Sequence, residues 1–250
     1  MNTLNISRPL AGVPLAIGDH FFAHSFHRKA IGDRMNPLLM VDHFWMKRDT
    51  FGWHPHNAIS AVTYVFEDSK SAHHNYDSMG NHLPIRPGSL HWMVAGSGAT
   101  HRERPEDPDA LVHALQIFVD LPDSLKTVSP YAIHLESEDI PEVVDGRARV
   151  RVVAGEYRGV ESPAALPQPF SFYDIGLEAG ASLEVPLETS WGAWFYAVAG
   201  EVIVNTEDQT SNLAQHRALG MQTRGHAMVT LKSHHGAHVV VLAGETVPQT

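Results

Sequence analysis

The stretch FGWHPHNAISAVTY, Phe51 to Tyr64, sets two histidines one residue apart, with a proline between them, ahead of a strand-forming run. On a strand, residues i and i+2 face the same way. His54 and His56 would then present two imidazoles side by side, roughly 7 Å apart at their Cα atoms given the strand rise. That suits two ligands of one metal. Pro55 cannot donate a ladder hydrogen bond, which puts the pair at a strand start or an edge, as at the mouth of a barrel. His101 and Glu103, in GSGATHRERP, form a second pair with the same spacing. If the two strands are neighbours, three neutral imidazoles and one carboxylate converge. Nitrogen and oxygen ligands without sulfur suit Fe, Cu, Ni, Mn or Zn rather than Mg or Ca. Four protein ligands on an octahedral ion leave two positions open, for a chelating substrate or for a substrate and O₂. Among 18 histidines such pairs also arise by chance, and the competing reading is a surface strand of polar residues.

Composition narrows the setting. The chain has 250 residues, enough for one large β domain or two ordinary ones, and 43% of them are hydrophobic. Its net charge of -10 argues against nucleic acid and anionic membrane surfaces, which want basic patches. There is no cysteine, which removes disulfides and thiolate ligands and fits a reducing cytoplasm. The N-terminal residues MNTLNISRPL do not read as a signal peptide. No apolar run approaches the ~18 residues of a membrane span.

The elements that must position the ligands are short and rich in β-branched and aromatic residues. AVTYVF (61–66), SLHWMV (89–94), LVHALQIFVDL (111–121), RARVRVVAG (147–155), FSFYDIGL (170–177), WFYAVAGEVIVN (194–205) and HVVVLAG (238–244) read as strands. Gly- and Pro-bearing turns separate them, as expected of a sandwich or barrel. NLAQHRALG (212–220) is the one stretch read as a short helix. The polar, proline-punctuated segment 121–146 reads as the connection between two β domains, with its acidic LESEDIPEVVD solvated.

Phe51, Trp53 and Met93 flank the expected ligands and either line an aromatic pocket or fill a barrel core. His91 shares a strand face with Met93 and lies either near that pocket or on ordinary strand surface. His73 and His74 read as solvated loop residues, and His234 and His235 as a polar turn rather than a second metal site.

These residues carry a family resemblance. FGWHPHNAISAVTYVFEDS resembles the first signature of the pirin family and RPGSLHWMVAGSGATHRE its second. RMNPLLMVDHF (34–44) is similar to the family's N-terminal strand, and LQIFVDLPDSLKTVSPYAIHL to the segment leaving its first domain. The match is strong over residues 30 to 140 and weaker through WGAWFYAVAGEVIVN and HVVVLAG.

The resemblance implies an all-β fold of two stacked cupin-type β-barrels, a bicupin. A metal-binding domain would span 1–130 and a metal-free one 131–250. It implies His54, His56, His101 and Glu103 as ligands of one divalent metal, Fe(II) first, with Cu, Ni, Mn or Zn as alternatives. It places Asp42, His43 and Phe44 in a motif covering the barrel mouth. Several members of the family resemble quercetinases, which open the central ring of quercetin with O₂ and release carbon monoxide. Others are transcriptional co-regulators or partners of metabolic enzymes. The partners implied are therefore a flavonol and O₂, or another protein, with no direct nucleic-acid or membrane contact. In the enzyme reading Glu103, the only carboxylate the motif places at the metal, is the expected base. The chain departs from the family pattern at Asn57, Ala58, Ala61 and His91, all near the expected site, which bears on substrate preference. A third reading, the same fold acting on a different substrate, follows from those departures.

Overall fold

In the computed structural model, residues 4–248 are described, and almost all regular structure is strand. The chain forms two compact units. The N-terminal unit is built mainly from residues 38–139 together with 13–27. The C-terminal unit is built mainly from 140–246, with 28–37 and the segment up to residue 12.

The N-terminal unit holds a seven-stranded antiparallel sheet. Its spatial order is Tyr131–Leu135, Leu90–Val94, Ile59–Val65, Val112–Asp120, Leu38–Met46, Phe21–His27 and Val13–Ile17. A four-stranded sheet, ordered His54–His56, Ala99–Pro105, His73–Asp77, His82–Ile85, belongs to the same unit. Phe21, Phe44, Val65 and Val112 of the larger sheet pack with Ile85 of the smaller, so the two sheets face each other as in a cupin barrel. Alternation explains which residues turn inward. In Ala99–Pro105, positions 99, 101, 103 and 105 are buried and the ones between are not.

The C-terminal unit repeats the plan with an eight-stranded and a four-stranded sheet. Its inner residues form one continuous apolar cluster. Leu183, Val185 and Leu187 reach it from Ala181–Leu187, and Ala193, Phe195 and Ala197 from Trp191–Gly200.

The helix expected over 212–220 is not formed. The segment is two strands, Thr210–Leu213 and Arg217–Thr223, joined by a turn with His216 at φ 61°. Leu213 and Leu219 both reach the core, and residues six apart lie on different faces of a helix. The connection 121–146 contributes Tyr131–Leu135 to the edge of one sheet and Glu142–Asp145 to the edge of another, and its Ile140 is buried. His73 and His74 are not in a loop. They open the strand His73–Asp77, whose positions 73, 75 and 77 are buried. Polar residues fill its inward positions, so the alternation carries no hydrophobic signal. His234 and His235 lie in an exposed bend, as expected.

Candidate metal centre

The four-stranded sheet brings the two short motifs together. His54–His56 pairs antiparallel with Ala99–Pro105, and His101 lies directly opposite His54. Direct cross-strand partners share a face, so this register turns His54, His56 and His101 the same way. Each offers a nitrogen, and the three lie within 4.8 Å of one another. His101 Nε2 is 3.0 Å from His54 Nε2 and 3.1 Å from His56 Nε2. Glu103, two residues on, lies on the same face. Its Oε1 accepts a hydrogen bond from Thr63 Oγ1 at 2.7 Å, and its Oε2 is 3.8 Å from His73 Nε2.

The electrostatics favour neutral rings. Burial, then the charge of neighbouring histidines, holds His56 down to about 4 and His101 to about 4. Burial also lowers His73, an effect the Glu103 carboxylate opposes.

Neutral imidazoles in this arrangement suit a cation. His54 Nδ1 lies 3.0 Å from the Gly52 carbonyl and can only donate to it. Its Nε2 is therefore a bare lone pair. If His101 Nε2 carries a proton for His54, it has no lone pair left for His56. If it does not, two lone pairs face each other across 3.0 Å. No assignment of neutral tautomers makes both contacts ordinary two-centre hydrogen bonds. An ion about 2.1 Å from each nitrogen, with ligands at right angles, puts them about 3 Å apart. The donor set therefore fits a transition metal, and the Gly52 carbonyl supplies the kind of support that orients a ligating histidine.

The site opens on a cavity of about 520 Å³, within the range of small-molecule sites. Phe21, Phe44, Met46, Phe51 and Phe118 contribute apolar wall, and His54, His56, His73 and Glu103 one polar end. Phe51 lines it, 48% exposed, with its ring edge-on to Phe21 at 5.1 Å. The other three residues flanking the motifs do not line it. Trp53 is 56% exposed. Met93 is core, packed with Ala61, Ala95 and Ala99. His91 is fully buried, opposite Thr63 and His134, and burial with the His134 charge holds it down to about 3. Of the motif at 42–44, Asp42 and Phe44 line the cavity, while His43 packs beside Trp45 and His113.

Two of the departures have structural consequences. Ala58 sits at φ 59°, a left-handed backbone that glycine adopts more readily. Ala61 lies opposite both Met93 and Phe118, and the Phe118 ring approaches His56 at 5.0 Å.

Sequence reading missed His73, Ser25, His27 and Gln116, all lining the cavity. The period-2 spacing of Ser25 and His27 with Phe21 was the available signal.

Comparison with known proteins agrees with the fold. A family model described as Pirin matches residues 15–119, and one described as Pirin C-terminal cupin domain matches 172–250. Human pirin is 31% identical over 225 residues, covering 87% of this chain and 76% of its own. A Pseudomonas aeruginosa protein carrying the provisional name of a quercetin 2,3-dioxygenase is 30% identical over 227 residues, covering 85% and 76%. A Geobacillus kaustophilus crystal structure superposes with a TM-score of 0.88 at 26% identity, covering 99% of this chain and 98% of that one.

Proposed function

Because this chain belongs to the pirin family, we propose that it is a metal-dependent dioxygenase that opens the central ring of a flavonol with O₂. One observation carries the reading: three imidazoles converge, and two of them, His54 and His56, line the polar end of an apolar-walled cavity of about 520 Å³. The similarity to the Pseudomonas aeruginosa protein supports the substrate class.

His54, His56, His101 and Glu103 would hold one divalent transition metal, Fe(II) in this reading. The metal supplies a Lewis acid and a template for substrate and O₂. The protein's own residues do the rest. The Gly52 carbonyl fixes the His54 ring. Thr63 commits Oε1 of Glu103. Oε2 would then serve both roles in turn, holding the metal and, once released from it, taking the flavonol hydroxyl proton, so that Glu103 switches between ligand and base. Phe21, Phe44, Phe51 and Phe118 offer flat apolar surface to the rings.

A regulatory protein that senses its metal would need the same ligands but no apolar cavity of small-molecule size beside them. The cavity therefore favours the enzyme.

The test is O₂ uptake and quercetin loss by protein reconstituted anaerobically with Fe(II), with His101→Ala as control. Turnover that vanishes in the variant is expected. No turnover with metal demonstrably bound would sink the flavonol reading. Full turnover by a metal-replete Glu103→Gln would remove Glu103 as the base.

A further inference from the structure

The cavity has a second polar end, away from the imidazoles. Ser25 and His27 of Phe21–His27 and Asp42 of the neighbouring Leu38–Met46 all line it. Ser25 and Asp42 are direct cross-strand partners, so their side chains share a face. Ser25 Oγ donates to Asp42 Oδ1 at 2.5 Å. A serine hydroxyl has one proton. With that proton on Asp42, His27 Nε2, 3.1 Å from Ser25 Oγ, must be the donor of the second bond. The direction of the chain is therefore set: His27 to Ser25 to Asp42.

This is not the order of an acyl-transfer triad, in which an imidazole takes the serine proton. Here the hydroxyl serves the carboxylate and holds it in place. An ionised carboxylate has about four acceptor sites. Among the described residues, Ser25 supplies the single hydrogen bond to the Asp42 side chain. Burial raises the Asp42 carboxyl above the ordinary range, and the Ser25 bond and the His27 charge pull it back down. A half-buried carboxylate with unused acceptor sites on a cavity wall is suited to a donor brought in by a ligand.

The sheet also sets how far this end lies from the other. Asp42 is opposite Gln116, Gln116 is opposite Thr63, and Thr63 bonds Glu103. Two strand spacings put Asp42 about 10 Å from Thr63 along the sheet. A one-ring catechol held at the imidazoles falls short of that. A fused, multi-ring phenol reaches it.

We propose that Asp42, held by Ser25 and His27, is a specificity-determining residue that accepts a hydrogen bond from a hydroxyl at the far end of a polycyclic phenolic substrate. The inference rests on the dioxygenase reading, since that reading places the chelating end of the substrate at the imidazoles.

The test compares the affinities of two ligands. Quercetin and 3-hydroxyflavone share the chelating hydroxyl and ketone, and quercetin adds hydroxyls elsewhere on the rings. Kd values are measured by fluorescence titration of Fe(II)-loaded protein without O₂, so no turnover is needed. Wild type should prefer quercetin by about tenfold to a hundredfold, the scale of a hydrogen bond to a charged group. Asp42→Asn keeps the shape and the bond from Ser25, but turns the remaining acceptor into an N–H₂ donor. It should lower the preference to within about threefold and leave 3-hydroxyflavone affinity unchanged. Ser25→Ala, which frees the carboxylate without removing it, should give an intermediate ratio. An unchanged preference in both variants, or no preference in wild type, would overturn the role of Asp42 and leave the dioxygenase reading standing. Binding of neither flavonol to metal-loaded wild type would overturn both.

Discussion

The strand Phe21–His27 turns Phe21, Ser25 and His27 toward a cavity, whereas Trp191–Gly200 turns Ala193, Phe195 and Ala197 into a filled core. The same contrast runs through both units. In the C-terminal unit the inner cluster is apolar except for the hydroxyls of Tyr157 and Tyr173, which donate to the carbonyls of Glu184 and Glu156. Every Val, Leu or Phe fully buried there contributes roughly 1.5–3 kcal/mol. The N-terminal unit places Asp42, Thr63, His73, Glu103 and Gln116 on its inner faces instead. His73 Nδ1 and both His91 ring nitrogens make no hydrogen bond among the described residues. A buried polar group left so costs about 1–3 kcal/mol. One architecture thus serves two ends. A filled interior concentrates stability, and a partly polar, partly empty one gives up stability for a site. Among the described residues, the one gathering of three metal-ligating side chains is in the N-terminal unit.

The contrast can be broken or sharpened by mutation. The largest expected effect is on the metal. His101→Ala should weaken binding by more than the about 10–100-fold typical of changes to groups that merely support ligands. His235→Ala, in an exposed bend of the C-terminal unit, and His74→Ala should leave bound metal unchanged. Metal analysis after Fe(II) loading and desalting decides it, and equal loss in all three would remove the distinction. Next comes core truncation. Phe195→Ala, in the filled interior, should cost about 3–5 kcal/mol. Phe51→Ala, on the cavity wall and 48% exposed, should cost under about 1 kcal/mol and act on ligand affinity instead. Urea unfolding midpoints compare the two, and similar costs would mean that the cavity is as tightly built as the core.

Smaller effects refine the picture. Thr63→Val keeps the volume but removes the hydrogen bond to Glu103 Oε1. Metal affinity should fall by about 10–100-fold, with a loss of about 1–3 kcal/mol of stability from the carboxylate oxygen left without its donor. A loss of stability without a loss of metal would make Thr63 a core residue only. Ala58→Gly should be the mildest. It relieves a left-handed backbone that costs a side-chain-bearing residue about 1–2 kcal/mol, against about 0.5–1 kcal/mol for the added freedom of glycine. The expected result is a midpoint equal to or slightly above wild type, and a clear drop would show that the methyl group makes contacts worth more than the strain.

The candidate ligands were legible because each pair is local. Two residues at i and i+2 on one strand share a face whatever the rest of the chain does, so His54 with His56 and His101 with Glu103 could be read in advance. His73 was not legible. Its strand is inward-facing yet polar, so HHNYD looks like loop, and its burial follows from the neighbouring strands. Met93 and His91 could have been pocket or core from spacing alone. What separates them from Phe51 is which side chains stand in front, and that is a property of the packed sheets. The Ser25–Asp42 pair joins residues 17 apart that meet through a register the sequence does not spell out.

By itself, then, the sequence determined the strand-rich character of the chain, the sulfur-free donor set, the two i, i+2 pairs proposed as ligands and the family. These depend on composition and on the two-residue repeat of a strand, both local quantities. The tertiary structure alone decided that the two pairs meet, that a cavity rather than a core lies beside them, and that Asp42 faces it. Those depend on register between distant strands and on the volume left after side chains pack, and both are set only when the sheets close on one another.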